Sequence, residues 1–342
     1  MALLERLRGH GSVAIIGMSK NSGKTVTLNA LLAEAEEEEV CVGLTSIGRD
    51  GERIDVVTET EKPTIFMVAG SLVATTTRLL ELSEAVVEIL EITPYATPLG
   101  DVIIGRVRYD GNVQISGPQT LAETRILIER MRELGADLAI VDGAIDRRTS
   151  AAPEICSSAI LAAGASVDRS METVIEKTAH VARLLNLPAL EEHRPLTELL
   201  FKEGRYGTID DDGTFHEITL KTSLGAGRRL GEAVDEHTKY LVVSGALTDR
   251  VLEEFLQATG NFQGISIVVS DGTKVFIERI TYLRLLRRGM DIVVHHRTPL
   301  VAVTVNPYAT QGYRFDPFLF REEMAKAIPG IPVYDVMMGG GQ

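Results

Sequence analysis

Two short stretches hold the residue types that handle phosphate. The first is Gly17-Met-Ser-Lys-Asn-Ser-Gly-Lys-Thr25, and the second is the acid of Val141-Asp142-Gly143-Ala144. A glycine-rich turn ending in Lys-Thr presents its backbone N–H groups to an anion, and the helix that starts there adds the positive end of its dipole. Lys24 would reach the outer phosphates of a nucleoside triphosphate, and the Thr25 hydroxyl would sit on Mg²⁺. The expected phosphate-side contacts are Gly17, Ser19, Lys20, Asn21, Ser22, Gly23, Lys24, Thr25 and Val26, with Lys20 a second positive charge in the loop. Asp142 ends an apolar run, as an acid that faces the loop's metal from a rigid strand must.

These residues need elements that hold them still. Val13 to Ile16 predicts a buried strand, while Val26, Leu28, Leu31 and Leu32 repeat at the spacing of a helix's inner face. Ala136 to Val141 predicts the strand that carries Asp142. Val40 to Leu44 predicts another, which delivers the chain to Thr45-Ser-Ile-Gly-Arg-Asp-Gly-Glu52. Doubly wound sheets place ligand groups at such strand ends, so Asp50 is a candidate for the Mg²⁺ shell or for holding the attacking water, with Arg49 near the phosphates. An ordinary Asp-Gly turn reads equally well. The expected catalytic residues are thus Lys24, Asp50 and Asp142, and the expected metal ligands Thr25, Asp50 and Asp142. Asp146, Arg147 and Arg148 read as solvated surface, or as groups turned to phosphate or a partner. A glycine-rich turn that binds nothing also fits residues 17–25 taken alone; the pairing with Asp142 favours the phosphate reading.

Five residues separate Gly17 from Gly23, one more than the usual phosphate loop has. This longer loop resembles that of dethiobiotin synthetase and the cobyrinic acid amidotransferases, which belong to the same broad class of NTPases as the cell-division ATPases. Val141-Asp142-Gly143-Ala144 is similar to the Val-Glu-Gly-Ala stretch of dethiobiotin synthetase, with Asp one methylene shorter than Glu. The resemblance implies that Asp142 serves the metal, directly or through water. Residues 17–25, 45–52 and Val305-Asn-Pro-Tyr308 together resemble the ATPase subunit of the reactivating factor of adenosylcobalamin-dependent lysine 5,6-aminomutase and ornithine aminomutase. That resemblance implies an ATP-driven chaperone that helps a B12-dependent aminomutase exchange damaged cobalamin, working with a second reactivase subunit.

The chain has 342 residues, enough for two domains, with 44% hydrophobic and 24% charged residues, the balance of a soluble globular protein. A net charge of −13 with no basic block argues against affinity for nucleic acid or an anionic membrane. Cys41 and Cys156 both lie in or beside apolar segments, which disfavours a disulfide framework and fits a reducing cytoplasm. No apolar run approaches the ~20 residues of a membrane span, and the N-terminus lacks a signal design. The acidic run Glu34 to Glu39 predicts a solvated, fraying helix end.

The alternation of strands and helices predicts an α/β fold: a P-loop NTPase domain over residues 1–190, with a mostly parallel sheet flanked by helices, a linker over 191–213, and a second, smaller α/β domain over 214–342. Ser71 to Leu82 is read as a helix or half-exposed segment, and Asp110-Gly-Asn112 as the turn of a hairpin. Ser270 to Lys274 and Asn306 to Tyr313 follow strands of the second domain but read as connecting turns. His295 and His296 are adjacent, which sends their rings to opposite faces of a strand and away from a shared metal.

The Asn-Lys-x-Asp guanine signature is absent, which tilts the nucleotide toward ATP. Two functions remain. Nucleotide hydrolysis drives a switch whose second domain engages a client protein, or a biosynthetic ligase activates a small carboxylate with ATP. The amidotransferase version is disfavoured, because neither cysteine has a Gly-x-Cys-x-Gly setting. Whether Lys20 serves its own subunit or a second copy across a homodimer stays open.

Overall fold

The computed structural model describes residues 2–47, 65–143, 151–220, 225–260 and 263–336. Arg49, Asp50, Asp146, Arg147 and Arg148 lie outside the described residues. The chain divides into two compact units, one formed by Met1–Ala179 with Pro299–Gln342, the other by His180–Thr298.

The first unit opens with β1 (Ser12–Gly17), α1 (Lys24–Glu37) and β2 (Val42–Ser46). Every residue of β1 and β2 is buried, which is the signature of strands covered on both faces. There follow β3 (Ile65–Met67), β4 (Leu72–Thr76), α2 (Thr77–Leu80), β5 (Val86–Thr97), β6 (Gly100–Tyr109) and β7 (Gly111–Val113). Next come α3 (Leu121–Glu133), β8 (Leu138–Asp142), β9 (Ser158–Gly164) and α4 (Met171–Leu185), whose last turns belong to the second unit. A capping box starts α3: the Glu123 N–H donates to the Thr120 hydroxyl, and the Glu123 carboxylate accepts from the Thr120 N–H, each at 3.2 Å.

The second unit contains α5 (Arg194–Glu203), β10 (Tyr206–Asp210), β11 (Phe215–Ile218), α6 (Ala226–Glu232) and β12 (Thr238–Val243). It continues through β13 (Leu247–Thr248), α7 (Asp249–Ala258), β14 (Ser266–Val269), β15 (Val275–Phe276), α8 (Arg279–Arg287) and β16 (Asp291–Val294). Its five-stranded sheet has the order β11-β10-β12-β14-β16, with β12, β14 and β16 parallel. Alternate residues of these strands supply two cores: Leu241, Ile267 and Ile292 on one face, Val242, Val268 and Val293 on the other.

The chain then returns to the first unit as β17 (Leu300–Asn306), α9 (Pro317–Ala327) and β18 (Val333–Asp335). The nine-stranded sheet of that unit has the order β18-β17-β9-β1-β8-β2-β4-β6-β5. Neighbours from β18 to β4 are parallel; β6 is antiparallel to both β4 and β5. The expected α/β architecture, a mostly parallel sheet flanked by helices, is what the described residues form.

Four expectations differ from this arrangement. The linker expected over 191–213 contains α5 and β10, and β17 and β18, expected in the C-terminal domain of 214–342, complete the first sheet. An apolar β-branched run such as Leu300–Val305 declares its conformation but not its sheet. Residues 72–76, expected within a helix or half-exposed segment, form β4, because Leu-Val-Ala-Thr-Thr is buried throughout and pairs with both β2 and β6. The hairpin lies between β5 and β6 instead of at Asp110–Asn112, and β7 pairs with β3.

Candidate functional site

β1 lies between β9 and β8, both parallel to it, and Ile15 stands opposite Asp142. The Gly143 N–H donates to the Ile15 carbonyl at 3.0 Å, and the Met18 N–H to the Ala162 carbonyl at 2.8 Å. Strand pairing therefore fixes the start of the glycine-rich loop and the acid at the same carboxyl edge of one sheet.

Within the loop, the Ser22 N–H donates to the Ser19 carbonyl at 3.3 Å, and Asn21 and Gly23 take φ values of 64° and 103°. Gly23 is the residue that caps α1, so the N–H groups of the helix's first turn have no acceptor inside the helix. Lys20 and Asn21 are exposed at the tip; Lys24, Thr25 and Val26 are half-buried. Ser22 is only 1% exposed, and its hydroxyl has no hydrogen-bond partner among the described residues. A Cβ placed on Gly17 would lie 2.5 Å from the Ser22 Oγ and 2.7 Å from the Lys24 Cγ. The Lys24 stem thus passes over a position that only glycine leaves free.

Asp142 is half-buried, and burial pushes its carboxyl above the ordinary range while the charge of Lys24 pulls it back. The two residues therefore share one electrostatic field. An acid in this setting suits a cation, whose charge would offset the desolvation that the protein alone leaves uncompensated. The unpartnered Ser22 hydroxyl, the Gly17 gap and this destabilised carboxylate together fit a phosphate group with its metal. Among the described residues no three His, Cys, Asp or Glu side chains cluster as a self-contained metal site.

The sign for stability follows from that raised value. Between the ordinary carboxylate range and the raised one, the folded chain holds a proton that the unfolded chain has released, so stability falls as pH rises through the window. Asp142→Asn should melt above the wild type at neutral pH without ligand, and the two should converge below the ordinary carboxylate range. Thermal melts across a pH series check this. A variant that melts lower at neutral pH would mean that the Lys24 attraction outweighs burial.

The loop rests on neighbours that the sequence reading passed over. A Cβ on Gly164, at the end of β9, would come within 2.8 Å of the Ser22 carbonyl oxygen; one on Gly23 would meet the Asn306 Cβ at 2.9 Å. The Ser19 and Ser166 hydroxyls are 3.3 Å apart, and the Tyr313 hydroxyl donates to the Ala165 carbonyl at 2.6 Å. Beneath the loop, the Thr27 hydroxyl lies 2.7 Å from that of Thr304 and donates to the Gly23 carbonyl at 3.1 Å. No family model, curated protein or solved structure matches the chain. The candidate site rests on its own geometry.

Of the expected site residues, Gly17, Ser19 to Val26 and Asp142 are brought together, and Asp50 is outside the described residues. Asn306, Gly164, Ser166 and Tyr313 are additions. The signal for Asn306 was present, since an Asn-Pro directly after a strand marks a strand-end loop, but that strand had been given to the other domain. In the second unit, Ser270 to Lys274 closes on itself: Asp271 accepts from the Thr273 N–H at 2.8 Å and from the Ser270 hydroxyl at 2.9 Å. The His295 and His296 rings, expected on opposite faces, lie beyond the end of β16 with centroids 4.3 Å apart, edge to face. His295 is held neutral, pushed down to about 4 by burial first and by His296 next, and its Nδ1 lies 2.9 Å from the Thr197 hydroxyl. No helix among the described residues is long and apolar enough to cross a membrane.

Proposed function

We propose that this chain is a P-loop NTPase that binds ATP with Mg²⁺ and hydrolyses it to drive a conformational switch. The observation that carries the reading is the register of β1 against β8, which puts the loop and Asp142 at one sheet edge with Lys24 in the acid's field. Bound Mg²⁺ neutralises charge on the phosphates. The chain's own residues do the rest: loop N–H groups and Lys24 hold the outer phosphates, and Thr25 and Asp142 hold the metal.

What supports a switch is the connectivity. The chain enters the second unit through β9 and α4 and leaves it through β17, and both strands touch the loop, at Gly164 against Ser22 and at Asn306 against Gly23. A change in the loop on binding or losing a phosphate acts on both strands that lead to the second unit. The resemblance in residues 17–25, 45–52 and 305–308 makes the client a B12-dependent aminomutase, served with a second reactivase subunit.

Thermal melting with and without ATP and Mg²⁺, followed by turnover measured on the chain alone, tests the reading. A melting shift with slow basal hydrolysis, accelerated by the client protein, is the expected result. Hydrolysis that appears only when a small carboxylate is supplied would assign the ligase reading instead. No shift with any nucleoside triphosphate would end both.

A further inference from the structure

Two surface patches of opposite charge and matching apolar character lie one in each unit. In the first unit, a groove of about 180 Å³ runs between the outer side of α1 and β3, floored by Leu32, Val40 and Met67. Phe66, 51% exposed, stands at its edge. Glu36 lines it near the end of α1, and Glu37 and Glu39 follow directly in the chain; all three are exposed, and their carboxylates have no partner among the described residues. Acids gathered at a helix C-terminus repel one another and the dipole's negative end, so this run is unfavourable in the isolated chain. Arg8 reaches the run, but at Glu38.

In the second unit, α8 presents Ile280 and Leu286, 60% and 39% exposed, on its outward side. Arg284 and Arg287 flank them, exposed, and their guanidinium groups have no partner among the described residues. Elsewhere on the surface Arg8, Arg108, Arg130, Arg205 and Arg250 each pair with a carboxylate. Ile280, Arg284 and Arg287 follow one another at the i, i+4, i+7 spacing of a single helix stripe. A stripe that carries two unpaired arginines, with Ile280 on it and Leu286 beside it, is the complement of an apolar groove with acids at its edge, in the geometry of a helix seated in a groove.

We propose that the occupant of the groove is α8 of a second copy of this chain, with Arg284 and Arg287 set against Glu36, Glu37 and Glu39. The charge match decides for a second copy, because the same chain supplies both surfaces and a net charge of −13 would otherwise keep copies apart. Salt weakens the contact, since its ion pairs are exposed.

Sedimentation at low and high salt tests the proposal, using three forms of the full chain. The wild type should associate reversibly at low salt and dissociate at high salt. A chain carrying Arg284→Glu and Arg287→Glu, and a second carrying Glu36→Arg and Glu37→Arg, should each weaken self-association by roughly tenfold or more. Mixing the two variants should restore association, because each then offers the charge that the other's altered surface needs. All four positions are exposed, and circular dichroism verifies that the variants fold. A wild type that stays monomeric, an association indifferent to the reversals, or a mixture that fails to assemble would each overturn the proposal.

Discussion

Lys24→Ala should abolish the stabilisation that ATP with Mg²⁺ confers and lower hydrolysis by about 10²–10³-fold, the scale of loss when one preorganised donor aimed at developing negative charge is removed. A ligand that binds only the folded chain adds about 2.7 kcal/mol at a hundred times its dissociation constant, so the wild-type shift is large enough to see vanish. The fold should survive, because Lys24 is half-buried and its stem crosses a glycine instead of filling the core. The expected outcome is no shift with ligand and, without it, a melting point somewhat below the wild type at neutral pH, because Asp142 loses the charge that offsets its burial. A full ATP shift in the variant would mean that the triphosphate sits elsewhere. The substitution also relieves Asp142 of its neighbouring positive charge, which should raise that carboxyl further.

Gly23→Ala should cost about 2–4 kcal/mol of stability and remove nucleotide binding with it, combining backbone strain with overpacking. The residue has φ +103°, and its added Cβ would stand 2.9 Å from the Asn306 Cβ. Gly70 separates the two contributions, since it has φ +96° with nothing within 4 Å of the added Cβ. Gly70→Ala therefore reports strain alone. Chemical denaturation of both variants checks the difference. Equal losses would show that the Gly23 and Asn306 contact adds nothing to strain, and a Gly23→Ala chain with normal ATP binding would show that the loop tolerates a side chain.

The legible part of this fold was the part whose signals are local. β1, the loop and α1 announce themselves through four apolar residues, bracketing glycines and Lys-Thr, and β8 through an apolar run that stops at an acid. Their adjacency was also readable, because a metal site needs both at one edge. Residues 72–76 were harder. Leu-Val-Ala-Thr-Thr sits beside a leucine-rich turn of helix, and its burial on both faces removes the alternation that marks a half-exposed strand. Asn306 was missed for a different reason. Its strand type was plain, but nothing in Leu300–Val305 tells whether it pairs with β9 or β16, since both are buried parallel strands of like composition. Sheet membership is a non-local property, and the carboxyl-edge residues that depend on it are hidden from a reading of the chain in order.

The return of β17 and β18 to the nine-stranded sheet bears on how the protein is made. The second unit is continuous in the chain, whereas the first cannot seat Val305 against Ala163 until the whole second unit has been synthesised. During translation β9 therefore waits with one hydrogen-bonding edge bare, and that edge belongs to the strand that braces the glycine-rich loop. The inserted unit can be formed while its host is still incomplete, so the setting of the glycine-rich loop is among the last features of the molecule to become whole.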